Sequence, residues 1–376
     1  MKNNYHFNRN QLLALASLML LSPTMRLFPH AAVDYAHQAA ALSAPAAIPV
    51  MLIYVYFITE LMDSRLDGEG LAEMSLRYLG NKAGKIALFI MSAWLLIYGG
   101  FILRAGADRL ITTIYPYSGP AVFIIVMGIL SIIAALSSAR TIVRAAKIIL
   151  PLVFGLIIFI LFFSLFSISK ENLLPITIDD AVPVLKSSLA AVDVLTAIIY
   201  FVCFSAAFMP KKEHSFRDYS IWTCLMVLLI TGLCVAVVGN FGSELTANLA
   251  WPFFSLVRNL VFFHSLERIE ALVVSIWIFP DFLLTSMLMY SAQHCIRLAL
   301  GETCPAYKGE KLFSMERKRW VIPLCGLLTI ICGIFLAPSP IQLDYWSTRI
   351  IPVINFIFAF LFIPGLYFYG KAKKKL

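Results

Sequence analysis

The sequence predicts an all-α integral membrane protein with ten transmembrane helices. Three observations predict this fold class: 60% of the 376 residues are apolar, only 14% are charged, and the mean hydropathy is +0.85. Soluble domains carry about 25% charged residues. The composition therefore excludes a disordered chain, a secreted disulfide scaffold and an ordinary cytosolic enzyme, and it leaves a helical membrane protein.

The ten predicted helices are apolar segments long enough to cross the bilayer, which takes about 20 residues per helix. In chain order they are residues 11–31, 39–61, 86–112, 119–137, 142–168, 184–209, 219–240, 269–299, 320–337 and 348–369. They leave a short basic tail at residues 370–376.

The flanking basic residues predict the orientation of these helices. With the N-terminus inside, the termini and the inner loops carry 22 of the 30 Lys and Arg residues, whereas the outer loops carry five. Cytoplasmic loops are the ones enriched in Lys and Arg. Both termini are therefore expected in the cytoplasm. The net charge of +9 is explained by the same basic residues in the cytoplasmic loops. We therefore expect contact with anionic membrane lipid and no binding of nucleic acid.

The first predicted helix is interrupted by Ser22-Pro23-Thr24 and again by Pro29. Proline removes a backbone donor and frees the carbonyl one turn earlier. Unwound backbone at membrane depth is tolerated where it lines a cavity, and transporters hold substrates at such broken helices. We favour a binding site here over the alternative, a simple proline kink in which Ser22 bonds back to the helix.

Charged residues in the third and sixth helices are costly unless they are paired, wetted or protonated. Arg104 and Asp108 are four residues apart and can pair on one helix face. A structural ion pair is favoured over direct ligand contact by Arg104.

Asp193 could meet a ligand ammonium or a coupling proton, or it could lie at the wetted outer end of the sixth helix. Thr196 shares a face with Asp193 and with Tyr200.

The eighth predicted helix carries a polar seam. Pro280 and Asp281 interrupt its middle, Asp281 and Thr285 are four residues apart, and so are Ser286 and Tyr290. Residues four apart share a helix face. We expect this seam to face the centre of the bundle.

The sequence offers no catalytic or metal-binding motif. The seven cysteines form no CxxC pair, the six histidines are scattered, and no nucleophile elbow, zincin or phosphate-loop motif is present. We therefore expect no enzymatic activity, no metal and no cofactor.

Four stretches together resemble a known family: FNRNQLLALASLML (7–20), WLLIYGGFILRAGADRLITTIYPYSGP (94–120), KENLLPI (170–176) and WPFFSLVRNLVFFHSLERIEALVVSIWIFPDF (251–282). The whole chain resembles the endospore germination permeases, the B subunits of nutrient germinant receptors. These belong to the amino acid/polyamine/organocation superfamily. The stretch at 251–282 is the most specific of the four.

This resemblance implies a leucine-transporter-type fold of two inverted five-helix repeats, residues 1–168 and 184–369, with helices one and six broken. It implies a small germinant such as an amino acid, bound between helices one, three, six and eight, and A and C partner subunits in the spore inner membrane. Carried over by position, the ligand-binding residues are Ser22, Pro23, Thr24, Tyr98, Thr196, Tyr200, Thr285 and Tyr290.

The first helix departs from the superfamily pattern. A Gly-containing break usually offers backbone amides to a ligand carboxylate, whereas Pro23 has no N–H to offer. Three functions stay open: a germinant receptor subunit, a proton-coupled amino acid transporter in which Asp193 or Asp281 titrates, and a scaffold whose pocket is unused.

Overall fold

The computed structural model describes residues 9–66, 69–137, 139–204, 215–260, 269–301 and 320–373. Within these ranges the chain is helical and contains no strand. The α-helices are α1 Arg9–Ala36, α2 Ser43–Ala46, α3 Ile48–Asp63, α4 Leu71–Thr113, α5 Pro120–Leu136, α6 Ala139–Ser164, α7 Ala181–Phe204, α8 Phe216–Asn248, α9 Pro252–Asn259, α10 Ile269–Ala299, α11 Val321–Phe335, α12 Pro340–Tyr345, α13 Ile351–Phe356 and α14 Ile363–Ala372. Two π-helical segments, Trp346–Ile350 and Ile357–Phe362, join α12, α13 and α14 into one continuous helix.

The longest helix, α4, begins with a capping box and then bends. The Gly70 N–H donates to Glu73 Oε2 at 2.9 Å, which satisfies one of the backbone donors left open at a helix start. Gly80 has a φ of +82°, a backbone conformation that residues other than glycine rarely adopt. It separates the first two turns of α4 from the long straight part that follows. Glu73 Oε1 lies 2.6 Å from His294 Nε2, which ties the start of α4 to the end of α10.

The described helices have the lengths and composition of membrane spans. Seven helical stretches of 22 to 43 residues are long and apolar enough to cross a bilayer, and Pro120–Leu136 and Val321–Phe335 are shorter apolar helices. Large apolar side chains on α5 and α6 are exposed: Val122, Ile125, Val126, Ile129, Leu130, Ile133, Ile148, Leu152, Ile158, Phe159 and Phe162. Such faces suit contact with lipid rather than water. The protein is a multi-pass integral membrane protein, and the count of ten spans stays a prediction.

The polar residues singled out in the sequence lie on the helices at the centre of the bundle. The most extensive packing joins α4 to α10, and α1 packs against α6, α7, α8 and α10. On its other side α4 packs against α11, and α13 packs against α7. The interior polar residues of α1, α4, α7 and α10 are thereby held close to one another.

The first helix differs from the expected broken form. Within the described residues α1 is helical from Arg9 to Ala36, through both Pro23 and Pro29. Each proline removes only one backbone hydrogen bond, and the four helices packed around α1 hold the chain in place where that bond is lost. The Thr24 hydroxyl donates to the Leu20 carbonyl at 2.7 Å, a back-bonding of the kind that the kink alternative assigns to Ser22. The α7 helix is likewise continuous from Ala181 to Phe204.

The short helix α9 packs into the bundle rather than lying on its surface. Phe253 and Phe254 are buried, with ring centroids 5.4 Å and 5.6 Å from that of Trp277 on α10. This packing brings Trp251 over the polar centre.

Candidate functional site

A narrow cavity lies where α1, α4, α7 and the last helix meet. Its volume is ≈ 20 Å³, which is enough for one or two water molecules. Its lining residues are Ser22, Pro23, Tyr98, Phe101, Ile102, Ala105, Arg109, Asp193, Trp251, Ser347 and Ile351. A larger molecule fits only if some of these groups move apart.

One face of α4 supplies much of the lining. Tyr98, Ile102, Ala105 and Arg109 follow one another at intervals of four, three and four residues, the spacing of a single helical stripe. The stripe begins with an aromatic hydroxyl and ends with a guanidinium. The cavity is therefore mostly apolar, with polar groups concentrated towards its ends.

The guanidinium of this stripe is neutralised by a partner on α10. Arg109 forms an ion pair with Asp281, and both side chains are only 1% exposed. The guanidinium carbon also lies 5.7 Å from the ring centroid of Trp251 and 5.3 Å from that of Phe254. A buried charge needs such pairing, and aromatic faces add a favourable cation–π contribution.

A second ion pair, between Arg104 and Asp108 of α4, lies beside the first. Arg104 Nη1 is 3.4 Å from Asp108 Oδ1, so the pairing predicted from the sequence is present. Arg104 Nε also donates to the carbonyl of Ala337 at 2.7 Å, which anchors α4 to the segment after α11. The other carboxylate oxygen of Asp108 accepts from Trp251 Nε1 at 3.2 Å.

A wide cavity adjoins the narrow one. By the same measure its volume is ≈ 300 Å³, and it is lined by His30, Asp108, Asn248, Leu249, Ala250, Pro340, Ile341, Asp344, Ser347 and Thr348. Ser347 lines both cavities. Because Asp108 lines the wide cavity and its partner Trp251 lines the narrow one, the Trp251–Asp108 pair lies at the boundary between them.

Asp193 supplies the carboxylate of the narrow cavity. It is 1% exposed, and its Oδ1 accepts from Asn355 Nδ2 at 2.8 Å. The carbonyl oxygen of Asn355 in turn accepts from Trp94 Nε1 at 3.3 Å. Within the described ranges Asp193 forms no ion pair, unlike Asp108 and Asp281.

Four of the predicted site residues line the narrow cavity: Ser22, Pro23, Tyr98 and Asp193. Thr196 is buried close to them, but its hydroxyl donates to the Val192 carbonyl at 2.7 Å. Thr24 is bonded back to its own helix in the same way. A hydroxyl engaged by its own helix keeps only its acceptor capacity for a ligand.

The residues predicted on the eighth helix have other surroundings. Asp281 is the ion-pair partner of Arg109. Thr285 is fully buried, and its hydroxyl has no hydrogen-bond partner within the described part of the chain. Tyr290 is half-buried and packs against the core. The side chain of Tyr200 lies outside the described residues. Ser347 and Ile351 of the last helix line the narrow cavity in place of the α10 residues that the sequence predicts there.

The sequence interpretation does not include four residues that bring hydrogen-bonding or charged groups to the site: Arg109, Trp251, Ser347 and Asn355. Arg109 had a detectable signal, since it falls on the same helical stripe as Tyr98. Ser347 and Asn355 lie eight residues apart on the last helix. This spacing places two polar residues on one helix face, a pattern that could have been detected in the sequence. Trp251 had no such signal, because its place depends on how the chain folds back over α10.

The structure also bears on metal binding. Six cysteines lie in the described residues, and none of them is in a disulfide. Within the same residues no group of three or more His, Cys, Asp or Glu side chains is arranged to hold a metal ion. The polar groups of the narrow cavity are suited instead to hydrogen bonds and charge pairing with a small organic molecule.

Comparison with protein families identifies the chain. The model of the spore permease family, described as "Spore germination protein", matches residues 7–341. The chain belongs to this family. Among curated spore permease relatives, the putative spore germination protein YfkT of Bacillus subtilis (strain 168) is 24% identical over 294 residues, 77% of this chain and 76% of YfkT. The spore germination protein GerQB of Bacillus cereus is 24% identical over 169 residues, 44% of this chain and 42% of GerQB.

Solved structures show that this spore permease has the leucine-transporter-type fold. Mhp1, a nucleobase-cation-symport-1 family transporter in a closed conformation with bromovinylhydantoin bound, superposes with a TM-score of 0.58 at 12% identity, over 98% of this chain and 85% of Mhp1. A substrate-bound, outward-open Na⁺-coupled sialic acid symporter gives a TM-score of 0.55 at 15% identity, over 95% of this chain and 78% of the symporter. The predicted leucine-transporter-type helical fold is confirmed. It differs in detail, since α1 and the described part of α7 are continuous, and the count of ten spans stays a prediction.

Proposed function

We propose that this protein is the membrane subunit of a spore nutrient germinant receptor. It binds a small germinant, an amino acid in the first instance, in the narrow cavity, and it triggers germination together with A and C subunits. The observation that carries the proposal is the family match over residues 7–341. The buried cavity between α1, α4 and α7 supports it, because a mostly apolar lining with a few polar groups is the kind of site that small ligands use.

The size of the narrow cavity suggests how binding becomes a signal. At ≈ 20 Å³ it admits a water or two, so the germinant binds a state in which the lining helices have separated. A ligand that prefers one state shifts the population towards that state. The partner subunits then respond to the changed position of the helices they contact.

The proposed location is the spore inner membrane, with both termini in the cytoplasm. The excess of Lys and Arg in the alternate loops supports this orientation. The basic residues at the end of α14, Lys371 and Lys373, lie within cation–π distance of Tyr367 and Tyr369. Aromatic and basic residues together at a helix end are typical of a membrane interface.

The proposal is tested by germination of spores that carry the protein with its partner subunits. Tyr98→Ala removes a ring and a hydroxyl from the narrow cavity, and we expect it to raise the nutrient concentration that gives a half-maximal response. Tyr117→Ala is the matched control, because Tyr117 is fully exposed in the turn after α4. Amounts of both variants in the membrane are compared by immunoblot. An unchanged response with Tyr98→Ala would favour the scaffold function, in which the pocket is unused.

A second candidate is a proton-coupled amino acid transporter. Two observations favour it: the solved structures of the same fold are transporters, and Asp193 is a buried carboxylate with no ion-pair partner in the described residues. Carboxylates of this kind form proton relays in membrane proteins. Uptake of labelled amino acid into vesicles with a proton gradient separates the two functions. Accumulation that collapses with the gradient supports transport, and binding without accumulation supports the receptor.

A further inference from the structure

The buried acidic and basic side chains at the centre of the bundle are unequal in number, with three aspartates against two arginines. Arg104 pairs with Asp108 and Arg109 pairs with Asp281. Asp193 lines the same cavity as Arg109, and within the described ranges it has no cationic partner. An uncompensated carboxylate in a buried site is costly. The cavity therefore offers a counter-charge to a positively charged group of its occupant.

The hydrogen bonds around Asp193 favour its ionised form. Trp94 Nε1 can only donate, so the Asn355 atom facing it, 3.3 Å away, is the carbonyl oxygen. The amide nitrogen of Asn355 then faces Asp193 Oδ1 at 2.8 Å and donates to it. This fixed donor occupies one carboxylate oxygen as an acceptor. The second oxygen remains to accept from an occupant of the cavity.

The rest of the lining suits an ammonium group with an apolar remainder. Ser22 brings a hydroxyl from α1, which packs along α7, the helix that carries Asp193. Tyr98 and Phe101 bring aromatic rings, which attract cations by their faces. Ile102 and Ile351 offer apolar surface. An ammonium group has three donors, and a carboxylate, a hydroxyl and aromatic faces can receive them together.

We propose that the narrow cavity recognises the protonated amine of its ligand, with Asp193 as the counter-ion and Asn355 as the residue that orients it. This inference rests on the proposed function, and it narrows the ligand class to compounds with a protonated amine. Sugars, carboxylic acids without an amine and neutral nucleosides lack the group that the cavity requires. A ligand carboxylate, where present, is not matched by Arg109, since Asp281 already neutralises that guanidinium.

The test uses the full-length protein in membranes together with its partner subunits. Thermal stabilisation is measured with matched probes that differ only in the amine: L-alanine against L-lactate and propionate, L-valine against 2-hydroxyisovalerate, and butylamine against butanol. We expect one or more of the amines to stabilise the protein and their partners without an amine to have no effect. Free ligand at a concentration of about 100 times its dissociation constant gives a readable shift.

Two variants then test whether the amine binds at Asp193. Asp193→Asn keeps the shape of the side chain and an oxygen that can accept from Asn355, but it removes the charge. We expect it to weaken binding of the stabilising amine about tenfold or more, as is usual when one partner of a buried charge pair is lost. Asp344→Asn is the matched control, since it removes the same charge from the wide cavity, and it should leave binding unchanged.

The outcomes separate this inference from the proposed function. Equal stabilisation by the compounds without an amine, or an Asp193→Asn variant that binds the amine as wild type does, overturns the inference while the receptor function stands. Failure of every probe, with an amine or without one, to stabilise the complex overturns the proposed function itself. Stabilisation by amines that depends on Asp193 and not on Asp344 supports both.

Discussion

Trp251 Nε1 donates to Asp108 Oδ2 at 3.2 Å, and this bond lies at the boundary between the wide and the narrow cavities. It joins the start of α9 to α4. The same indole ring lies 5.7 Å from the guanidinium carbon of Arg109, so one side chain touches both ion pairs of the bundle centre. Trp251, at the start of α9, therefore lies between the two cavities.

Loss of this bond should expose the narrow cavity. Trp251→Phe keeps an aromatic ring but removes a donor to a carboxylate, which is worth about 1.5–3 kcal/mol or a factor of about ten to a hundred in an equilibrium. With Ser22→Cys as a reporter in the cavity, we expect about tenfold or more faster modification by a small polar thiol reagent. Mass spectrometry of protein in lipid nanodiscs measures the rate at this position. Trp320→Phe, an exposed tryptophan next to α11, is the control; equal rates in the two variants would contradict a closing role for Trp251.

Breaking the buried Arg109–Asp281 pair should destabilise the protein strongly. Arg109→Ala leaves the Asp281 carboxylate buried without its partner, which costs about 3–5 kcal/mol in comparable pairs. The free energy of unfolding, measured by denaturant titration in micelles, should fall by this amount. The matched control is Arg258→Ala, which removes an arginine that is 75% exposed and 3.9 Å from Glu270. Exposed pairs of this kind contribute about 0–1 kcal/mol.

The charge itself, rather than the size of the side chain, should cause this loss. The double variant Arg109→Met with Asp281→Asn removes both charges and keeps much of the volume. We expect it to recover a large part of the lost stability, because no unpaired charge remains. A double variant as unstable as Arg109→Ala would point instead to lost packing against Trp251 and Phe254.

A close approach of α4 and α11 at Gly100 should tolerate no side chain. A Cβ there would lie 2.6 Å from Cys332 Cβ and 2.8 Å from the backbone nitrogen of Gly333. Because backbone atoms cannot turn away, Gly100→Ala should lower the free energy of unfolding by about 1–3 kcal/mol. Gly155→Ala on α6 is the control: nothing lies within 4 Å of its Cβ, so the better helix propensity of alanine should leave stability unchanged or raised. Similar thermal shifts for both variants would contradict the close packing.

The bond between Glu73 and His294 should be a second stabilising link in the bundle. His294→Leu leaves the buried Glu73 carboxylate with the Gly70 N–H as its remaining donor. Hydrogen bonds to charged groups contribute about 1.5–3 kcal/mol, so a loss of this size is expected in thermal unfolding. His30→Leu tests the same change where histidine lies 3.5 Å from the 42% exposed Asp34. If the two variants lost equal stability, burial of the first pair would not be the cause.

The sequence predicted those parts of the site that depend on local spacing. The Arg104–Asp108 pair follows from a separation of four residues on one helix, and it is present. Asp193 stood out because a carboxylate is rare in an apolar helix. The interruption at Pro23 marked a segment of α1 that lines the narrow cavity. The predicted unwinding is wrong, because sequence alone does not show how firmly neighbouring helices hold a proline-containing one.

Contacts between distant segments could not be predicted in this way. Asp281 lies 172 residues from Arg109, and Asn355 lies 162 residues from Asp193. Each helix carries several polar residues, and their partners are decided by the rotation of every helix about its axis. That rotation is set by close contacts such as the one at Gly100, which composition and periodicity do not encode.

The narrow cavity has a consequence for the dose at which the protein responds. A site of ≈ 20 Å³ has to widen before it holds even a small amine, so free molecules of protein are divided between closed and open forms. The apparent dissociation constant is then the intrinsic one divided by the open fraction. If about 1% of molecules were open, an occupant with intrinsic micromolar affinity would need about a hundredfold higher concentration. Sensitivity to nutrient can thus be tuned far from the binding residues, by substitutions in α9 or the last helix that change only how often the cavity opens.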